Sequence, residues 1–348
     1  MKRATKKIFP NKYLLWILFY VTLFLVSFFI TIFKFQTAFK SQKLPLSGSP
    51  EKLSDQEVNI TLEPKKFSIL VAGDVMLGRK VMIEAEKRNN YLFPFEKVTE
   101  KLKGYDLVFI NLENPIIQNC PEHIGGFKFC SPSETAQALR SAGVDIVNLA
   151  NNHSLNYGQT GINETKVILK ENEIGYTGAG NLYSTSYDAG KFGFLGFDFT
   201  VNEPVANDYE LIKIAAKEVD ILIVAVHWGV EYTDRPTERQ RQLAKQMVQS
   251  GADVIVGTHP HWVQGIGCFM GGIETYIPAS EFKSGQTCQA GSVPVFYSLG
   301  NFIFDQMWSE ETKKGAIVEL NFGGRTLLGS KMENTYIRDW GQVEVVSF

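Results

Sequence analysis

The sequence predicts an α/β fold built on a largely parallel β-sheet, and three observations carry that prediction. Apolar runs of strand length alternate with polar turns and amphipathic stretches of about ten to fifteen residues, the pattern of repeated βαβ units. Three of the runs follow one local phrase: a helix-ending glycine (Gly104, Gly143, Gly251), an aspartate two residues later (Asp106, Asp145, Asp253), then the strand. These glycines suit a left-handed helix cap, and the aspartates suit the start of a strand better than chemistry. From Pro294 onward β-rich runs (Val295 to Leu299, Ala316 to Phe322, Gln342 to Phe348) replace the alternation, so a mixed or second sheet is expected to close the domain.

Ahead of the domain the chain opens with a basic tail, residues 1–12, and an uncharged run from Tyr13 to Phe33. At about 1.5 Å per residue, a helix over that run spans a hydrocarbon core of roughly 30 Å. A cleaved secretory signal has a shorter apolar stretch and a small-residue cleavage site. Here bulky Phe28, Phe29, Ile30, Ile32 and Phe33 run straight into Lys34, so a retained anchor is expected. Lys2, Arg3, Lys6, Lys7 and Lys12 precede it, against Lys34, Lys40 and Lys43 after it, which keeps the tail in the cytoplasm and the rest of the chain outside. Residues 34–66, broken by Pro45, Gly48, Pro50 and Pro64, read as a polar linker, and the folded domain is expected over 67–348.

The formal net charge of −2 hides an asymmetry: up to Lys66 eleven basic residues face four acidic ones, so the remainder carries −9. An acidic domain argues against a nucleic-acid partner, whose phosphates call for a basic footprint. The four cysteines, Cys120, Cys130, Cys268 and Cys288, fall in Gly- and polar-rich stretches between core elements. Buried free thiols are one reading. In an oxidising compartment the simplest pairing is local, Cys120 with Cys130 and Cys268 with Cys288, although other connectivities stay open. CxxC spacing is absent, so a zinc knuckle is not expected.

The apolar runs are Ser68 to Ala72, Leu107 to Leu112, Ile146 to Ala150, Ile221 to Val226 and Val254 to Val256. Each ends in polar, chemically capable residues: Gly73-Asp74, Asn111-Leu112-Glu113-Asn114, Asn151-Asn152-His153, His227-Trp228-Gly229 and Gly257-Thr258-His259-Pro260-His261. In open α/β sheets ligands bind beyond the carboxyl ends of the strands, so these groups are expected on one rim. Of the five histidines only His123, between two cysteines, stands elsewhere, and it reads as surface. A lone histidine after a strand is usually a satisfied polar residue. Neutral imidazole, carboxylate and amide oxygen together form a ligand set suited to Mn, Fe or Zn, so one or two divalent ions are expected. Pro260 keeps His259 and His261 off a helix, where side chains two apart point away from each other.

Taken in order, Gly73-Asp74-Val75-Met76-Leu77-Gly78-Arg79, Asn111-Leu112-Glu113, Asn151-Asn152-His153, His227-Trp228-Gly229-Val230-Glu231-Tyr232, Gly257-Thr258-His259-Pro260-His261 and Tyr297-Ser298-Leu299-Gly300-Asn301-Phe302 resemble the successive motifs of the CapA family. These are capsule biosynthesis proteins associated with poly-gamma-glutamate, with a calcineurin-like metallophosphoesterase fold. The resemblance runs roughly from Phe67 to Gln306 and keeps motif order and spacing. It implies a metallophosphoesterase-like α/β/β/α sandwich of mainly parallel sheets flanked by helices, and a single-pass anchor ahead of the domain fits it. It also implies roles: Asp74 on a first metal, Glu113 bridging, Asn152, His227 and His259 on a second metal, and His261 returning to the first. His153 would protonate a leaving group. Two departures stand out. Met76 occupies the place of the histidine in the metallophosphoesterase Asp-x-His motif, and Asn156 stands where an aspartate is common in CapA sequences.

The implied chemistry is hydrolysis or transfer at a phosphoester or amide bond, on an anionic polymer or phosphoester substrate, at the outer membrane face and beside other capsule- or polymer-synthesis subunits. A non-enzymatic scaffold or export component and a general metal-dependent phosphoesterase are the competing readings. Arg79, Asn151 and Asn301 form a second tier of site residues, Arg79 because a guanidinium pairs bidentately with phosphate or carboxylate. Trp228 and Trp262 suit either cleft walls or packing, and Glu231 either ligand orientation or plain surface charge.

Overall fold

Alternation of apolar side chains along the strands decides the layering. The computed structural model describes residues 66–178, 181–281 and 288–347, together with Thr22. The strands and helices described all lie in the unit spanning 62–348. The expected tail 1–12, anchor 13–33 and linker 34–66 lie outside the described residues, Thr22 and Lys66 apart; among the described residues no helix is long and apolar enough to cross a membrane.

Strands are numbered in chain order. In one sheet β1 (Lys66–Val75), β2 (Leu107–Leu112), β3 (Ile146–Asn148) and β4 (Gly175–Thr177) run parallel, and β12 (Asn301–Ile303) pairs in parallel with the end of β1. On the other side of β1, the strands β13 (Lys314–Gly323), β14 (Thr326–Arg338) and β15 (Gln342–Val346) add an antiparallel meander. The second sheet has the order β10 (Ile273–Ile277), β9 (Ile266–Met270), β11 (Val293–Phe296), β8 (Val254–Thr258), β7 (Ile221–His227), β6 (Gly190–Asp198), β5 (Tyr183–Tyr187). Only its centre, β11-β8-β7-β6, is parallel. The expectation of mainly parallel sheets is therefore corrected to two mixed sheets. The tight turns joining β9 to β10 and β13 to β14 leave no room for a crossover helix and force antiparallel pairing.

On β1, Ile69 and Val71 face the second sheet while Leu70 and Ala72 face helices α1 (Glu134–Ala142) and α2 (Gly158–Glu171). On β7, Ile221, Ile223 and Ala225 face the first sheet, and Leu222, Val224 and Val226 face α3 (Ala206–Glu218) and α4 (Glu238–Gln249). Strands buried on both faces need unbroken apolar runs, which is why these segments read as such. Three stacked cores result, helix on sheet, sheet on sheet and sheet on helix, the layering of an α/β/β/α sandwich. Fully burying each Leu, Ile or Phe contributes roughly 1.5–3 kcal/mol, so the three cores supply most of the drive to fold.

The Gly-x-Asp phrases prove to be clamps between neighbouring strands. The Asp106 carboxylate accepts the Ser68 N–H at 2.7 Å, Asp145 accepts that of Val108 at 2.9 Å and Asp253 that of Leu222 at 2.7 Å. Asp220, outside the phrase, does the same for Lys191 at 2.9 Å. Gly143 and Gly251 hold φ of +101° and +109°, the left-handed helix ends expected of them. Both local disulfides, Cys120–Cys130 and Cys268–Cys288, are present.

Candidate metal centre

Strand register lays two polar rows at the carboxyl ends of the sheets. In the first sheet Asn301 pairs with Asp74, Asp74 with Asn111 and Asn111 with Asn148. In the second, Asp198 pairs with His227 and His227 with Thr258. Each row lies where its strand leaves the hydrophobic layers, so a polar side chain costs the core nothing there. Gly73 lets β1 approach the chain opposite: a Cβ at that position would sit 2.0 Å from the Gly300 carbonyl oxygen. That approach permits Asp74 N–H to donate to Gly300 O at 3.0 Å, which fixes the carboxylate beside it.

Asparagine side chains tie the first row together. Asn111 Nδ2 donates to Asp74 Oδ1 at 2.7 Å, while Asn111 Oδ1 accepts from Asn148 at 2.9 Å and from Asn151 at 3.2 Å. Asn151 also donates to the Leu112 carbonyl at 2.9 Å, so it holds the loop that follows β3 against the end of β2. Asn111 and Asn148 escaped the sequence reading as site residues, although an asparagine closing two successive strands was the available signal.

The bridge between the rows is made by histidines around one carboxylate. Glu113 is fully buried, and neither of its side-chain oxygens has a hydrogen-bond partner. Glu113 Oε1 stands 3.8 Å from His153 Nε2, 3.9 Å from His227 Nε2 and 3.9 Å from His261 Nε2. On one side, His261 Nδ1 lies 3.2 Å from Asp74 Oδ2 and 2.9 Å from Asn301 Oδ1, so its proton is held there and Nε2 keeps a lone pair. Asp74, Glu113 and His261 each offer a ligand atom within 4.8 Å of the others. On the other side, His227 Nε2 lies 3.0 Å from Asn152 Oδ1, and the His227 and His259 rings meet edge-on with centroids 4.8 Å apart. His259 Nδ1 is buried without a partner.

Backbone strain accompanies this arrangement. His259 has φ of +96° and His261 of +58°, left-handed conformations that cost a non-glycine residue about 1–3 kcal/mol each. The Asp74 carboxylate helps hold the turn by accepting the His259 N–H at 3.3 Å.

Electrostatics sharpen the picture. Burial first, then the neighbouring Asp74 charge, pushes the Glu113 carboxyl well above the usual range. Burial holds His227 well below the ordinary imidazole value, with His259, His261 and His153 adding to the effect. His259 and His153 are lowered as well, again mainly by burial. His227 and His259 are thus poised neutral, as ligands must be, and so is His153 beside the buried Glu113. An orphaned buried acceptor costs about 1–3 kcal/mol, more if charged, and a divalent cation held by Asp74, Glu113 and His261 would give the Glu113 carboxylate the partner it lacks. The donor set of carboxylate, imidazole and amide oxygen fits Mn, Fe or Zn.

The remaining sequence candidates fall in different places. His153 stacks on Phe129 with centroids 4.1 Å apart, and its Nδ1 lies 3.1 Å from Asn156 Oδ1. Asn156 Oδ1 also accepts the Phe129 N–H at 2.6 Å, so it orients the imidazole from behind and leaves Nε2 toward Glu113. Arg79 stands at the edge of the centre: its guanidinium pairs with Asp305, donates to the Gly126 carbonyl at 3.0 Å and lies over Phe129, while its charge still acts on Glu113 and His153. It braces the Phe129 that backs His153. Met76, in the place of the expected histidine, is buried in the helix-facing core, and its sulfur accepts the Gly78 N–H. Trp228 is wholly buried and donates to the Tyr297 carbonyl, which makes it packing, and Glu231 is exposed. His123 stands near Cys120 and Cys130, but both sulfurs are in a disulfide, so no thiolate is available to a metal.

With that geometry in place, comparison with known proteins is informative. Residues 68–197 and 198–306 match the sequence model of the family described as bacterial capsule synthesis protein PGA_cap. The chain is similar to the capsule biosynthesis protein CapA of Bacillus anthracis, 33% identical over 74% of this chain and 64% of that one. It is also similar to the PGA biosynthesis protein CapA of Bacillus subtilis, 32% identical over 73% of this chain and 67% of that one. The match thus spans somewhat under two thirds of the Bacillus anthracis relative. Among solved structures, a phosphatase from Mycoplasma pneumoniae superposes with a TM-score of 0.50 at 14% identity, covering 79% of this chain and 95% of that one, a likeness of fold.

Proposed function

The chain belongs to the bacterial capsule synthesis protein PGA_cap family, and on that premise we propose that it is a metal-dependent hydrolase or transferase of capsule or poly-gamma-glutamate assembly. In this reading it acts outside the cytoplasm, tethered by residues 13–33, on a phosphoester or amide bond of an anionic polymer or its precursor. The observation that carries the reading is Glu113: a buried carboxylate with two unpartnered oxygens, ringed by three imidazoles.

Asp74, Glu113 and His261 would hold a cation on one side, and His227, His259 and Asn152 on the other, with Glu113 reaching both. The metal would supply positive charge that polarises the scissile bond. The chain's own groups do the rest. Asn111 and Asn301 hold Asp74 and His261 in place, and His153, with Nδ1 kept by Asn156, presents Nε2 toward Glu113, where it would first take up a proton and then pass it to a leaving group as general acid. Elemental analysis of the purified protein, coupled to hydrolysis of a generic phosphodiester, tests this directly. Bound Mn, Fe or Zn with turnover is expected; a protein that holds no divalent metal under any preparation would overturn it.

Met76 favours a second reading. Its side chain contributes no ligand, so the Asp74 side has one donor fewer than the metallophosphoesterase Asp-x-His motif implies. A scaffold or export subunit with a structural ion on the His227 side would then retain one metal and show no turnover.

A further inference from the structure

Loop tips on a water-exposed domain are ordinarily small or polar, and three loop tips beside the metal centre are not. The loop closed by Cys120–Cys130 carries Ile124 and Phe127 at its crown, 74% and 80% exposed. The segment after β12 carries Trp308, 63% exposed, and the turn between β14 and β15 carries Trp340, 44% exposed. All four side chains line one open cavity of about 520 Å³ with Lys80 and Tyr232. That cavity adjoins the candidate metal centre: the Tyr232 ring lies 4.9 Å from Trp308 on one side and 5.9 Å from His261 on the other. Tyr232 holds φ of +61°, a left-handed conformation that a tyrosine adopts only under constraint.

Four large apolar groups from three separate loops gather at one rim, each still exposing 44% or more of its surface to solvent, which packing alone does not require. Tryptophan and phenylalanine on such a rim favour the water–hydrocarbon boundary of a bilayer, where the ring is buried and the indole N–H stays hydrated. The charges of these loops are mixed, Lys128 and Arg338 against Glu122 and Asp339, so attraction to anionic lipid is not the drive. The linker 34–66 cannot carry the domain farther than roughly 110 Å from the end of the apolar run 13–33, so a domain tethered in this way always has lipid within reach. We propose that Ile124, Phe127, Trp308 and Trp340 form a collar that seats the mouth of the metal cleft on the surface of a phospholipid bilayer. The proposal rests on the anchored reading above. Its consequence is that a substrate presented at the headgroup level meets the cleft without leaving the membrane surface.

The test uses full-length chain carrying Trp16→Phe, reconstituted into zwitterionic phosphatidylcholine nanodiscs with acyl chains brominated near the headgroup. Bromine quenches only indoles that enter the lipid. We expect a loss of tryptophan emission relative to unbrominated discs that is insensitive to salt and absent in the Trp308→Phe/Trp340→Phe variant. Emission unaffected by bromine, or a quenching that the double variant retains, overturns the collar, including the case in which a protein partner covers these residues. Alkaline carbonate extraction scores the anchor separately. A chain that carbonate strips from the disc, yet whose collar is quenched, keeps the collar and removes the anchor; a chain that resists carbonate with unquenched collar tryptophans does the reverse.

Discussion

Carboxylates stand at both ends of the two sheets, and their circumstances are opposite. Where the strands begin, Asp106, Asp145, Asp220 and Asp253 each accept a backbone N–H from the neighbouring strand, and the bond they make is the reason for their presence. Where the strands end, Glu113 accepts nothing and is wrapped in imidazoles. The same chemical group is therefore mortar at one edge and an unfilled demand at the other. A satisfied carboxylate stabilises the fold as it stands, whereas an orphaned one destabilises the metal-free protein in exchange for a ligand.

The sharpest way to break that contrast is Glu113→Gln. Metal content and any metal-dependent turnover should fall to background, the largest effect expected of a single substitution. In chelated protein the sign should invert: removing a buried, unpaired charge should leave melting temperature unchanged or higher. The pH dependence follows from the raised Glu113 pKa. A folded-state pKa above the unfolded one means that the native state holds the proton more tightly. The Glu113 contribution to the stability of the metal-free protein is then greatest below about pH 4.3, the ordinary glutamate value, and declines as pH rises toward the folded pKa, whereas the buried His153, His227 and His259 contribute in the opposite sense, losing stability as pH falls below about 6.5. Glu113→Gln should flatten that decline, and so should added Mn or Zn in the wild type. Chelated protein whose melting temperature drops sharply on Glu113→Gln would place Glu113 with the structural carboxylates after all.

Three histidine substitutions extend the contrast within the rim. His261→Ala removes a nitrogen 3.9 Å from the orphaned carboxylate and His259→Ala removes the ring packed edge-on against His227, so each should weaken metal retention, with partial rescue by excess metal. His153→Gln should keep the metal and lower turnover by about 10²- to 10⁴-fold, the usual share of general acid catalysis. Metal analysis of the three variants side by side distinguishes the roles. Equal loss of metal in His153→Gln and His259→Ala would make His153 a ligand.

Much of this was legible before any coordinates, for physical reasons that also mark where legibility stopped. Strands buried on both faces must be apolar throughout, so β1, β2, β7 and β8 announced themselves, and the polar residues ending them stood out as groups with no core reason to be there. β6 did not, because the glycines of Lys191-Phe192-Gly193-Phe194-Leu195-Gly196-Phe197 dilute a strand signal even as they admit close packing: a Cβ at Gly196 would meet the Asn148 side chain at 2.1 Å. β14 was hidden by its half-exposed, polar sequence. Missing β5, β9, β10 and β14, whose pairings are all antiparallel, made the sheets look mainly parallel. Arg79 carries a partner that no local pattern could show. A sequence shows that a guanidinium can bind phosphate, but not that Asp305, far along the chain, already occupies it.

The smallest effect belongs to the structural edge, and Asp253 is where it is cleanest to measure. Its carboxylate takes the Leu222 N–H at 2.7 Å, and the Asp253 N–H in turn donates to Leu222 O at 3.0 Å, so one residue closes the start of β7 against the chain entering β8. Burial pushes the Asp253 pKa up even though the hydrogen bond pulls it down. The negative charge is therefore not what the site needs; an acceptor oxygen is. Asp253→Asn keeps an acceptor and should change stability by less than about 1 kcal/mol, within the net worth of one hydrogen bond. Asp253→Ala leaves the Leu222 N–H buried without a partner and should cost about 1–3 kcal/mol. Neither should alter metal content, because the residue lies at the opposite end of β8 from Thr258 and the histidine turn. Urea midpoints of the two variants, measured beside metal analysis, decide it. If Asn is as damaging as Ala, the charge itself is structural; if either variant loses metal, the two edges of the sheets are coupled and are not the independent halves described above.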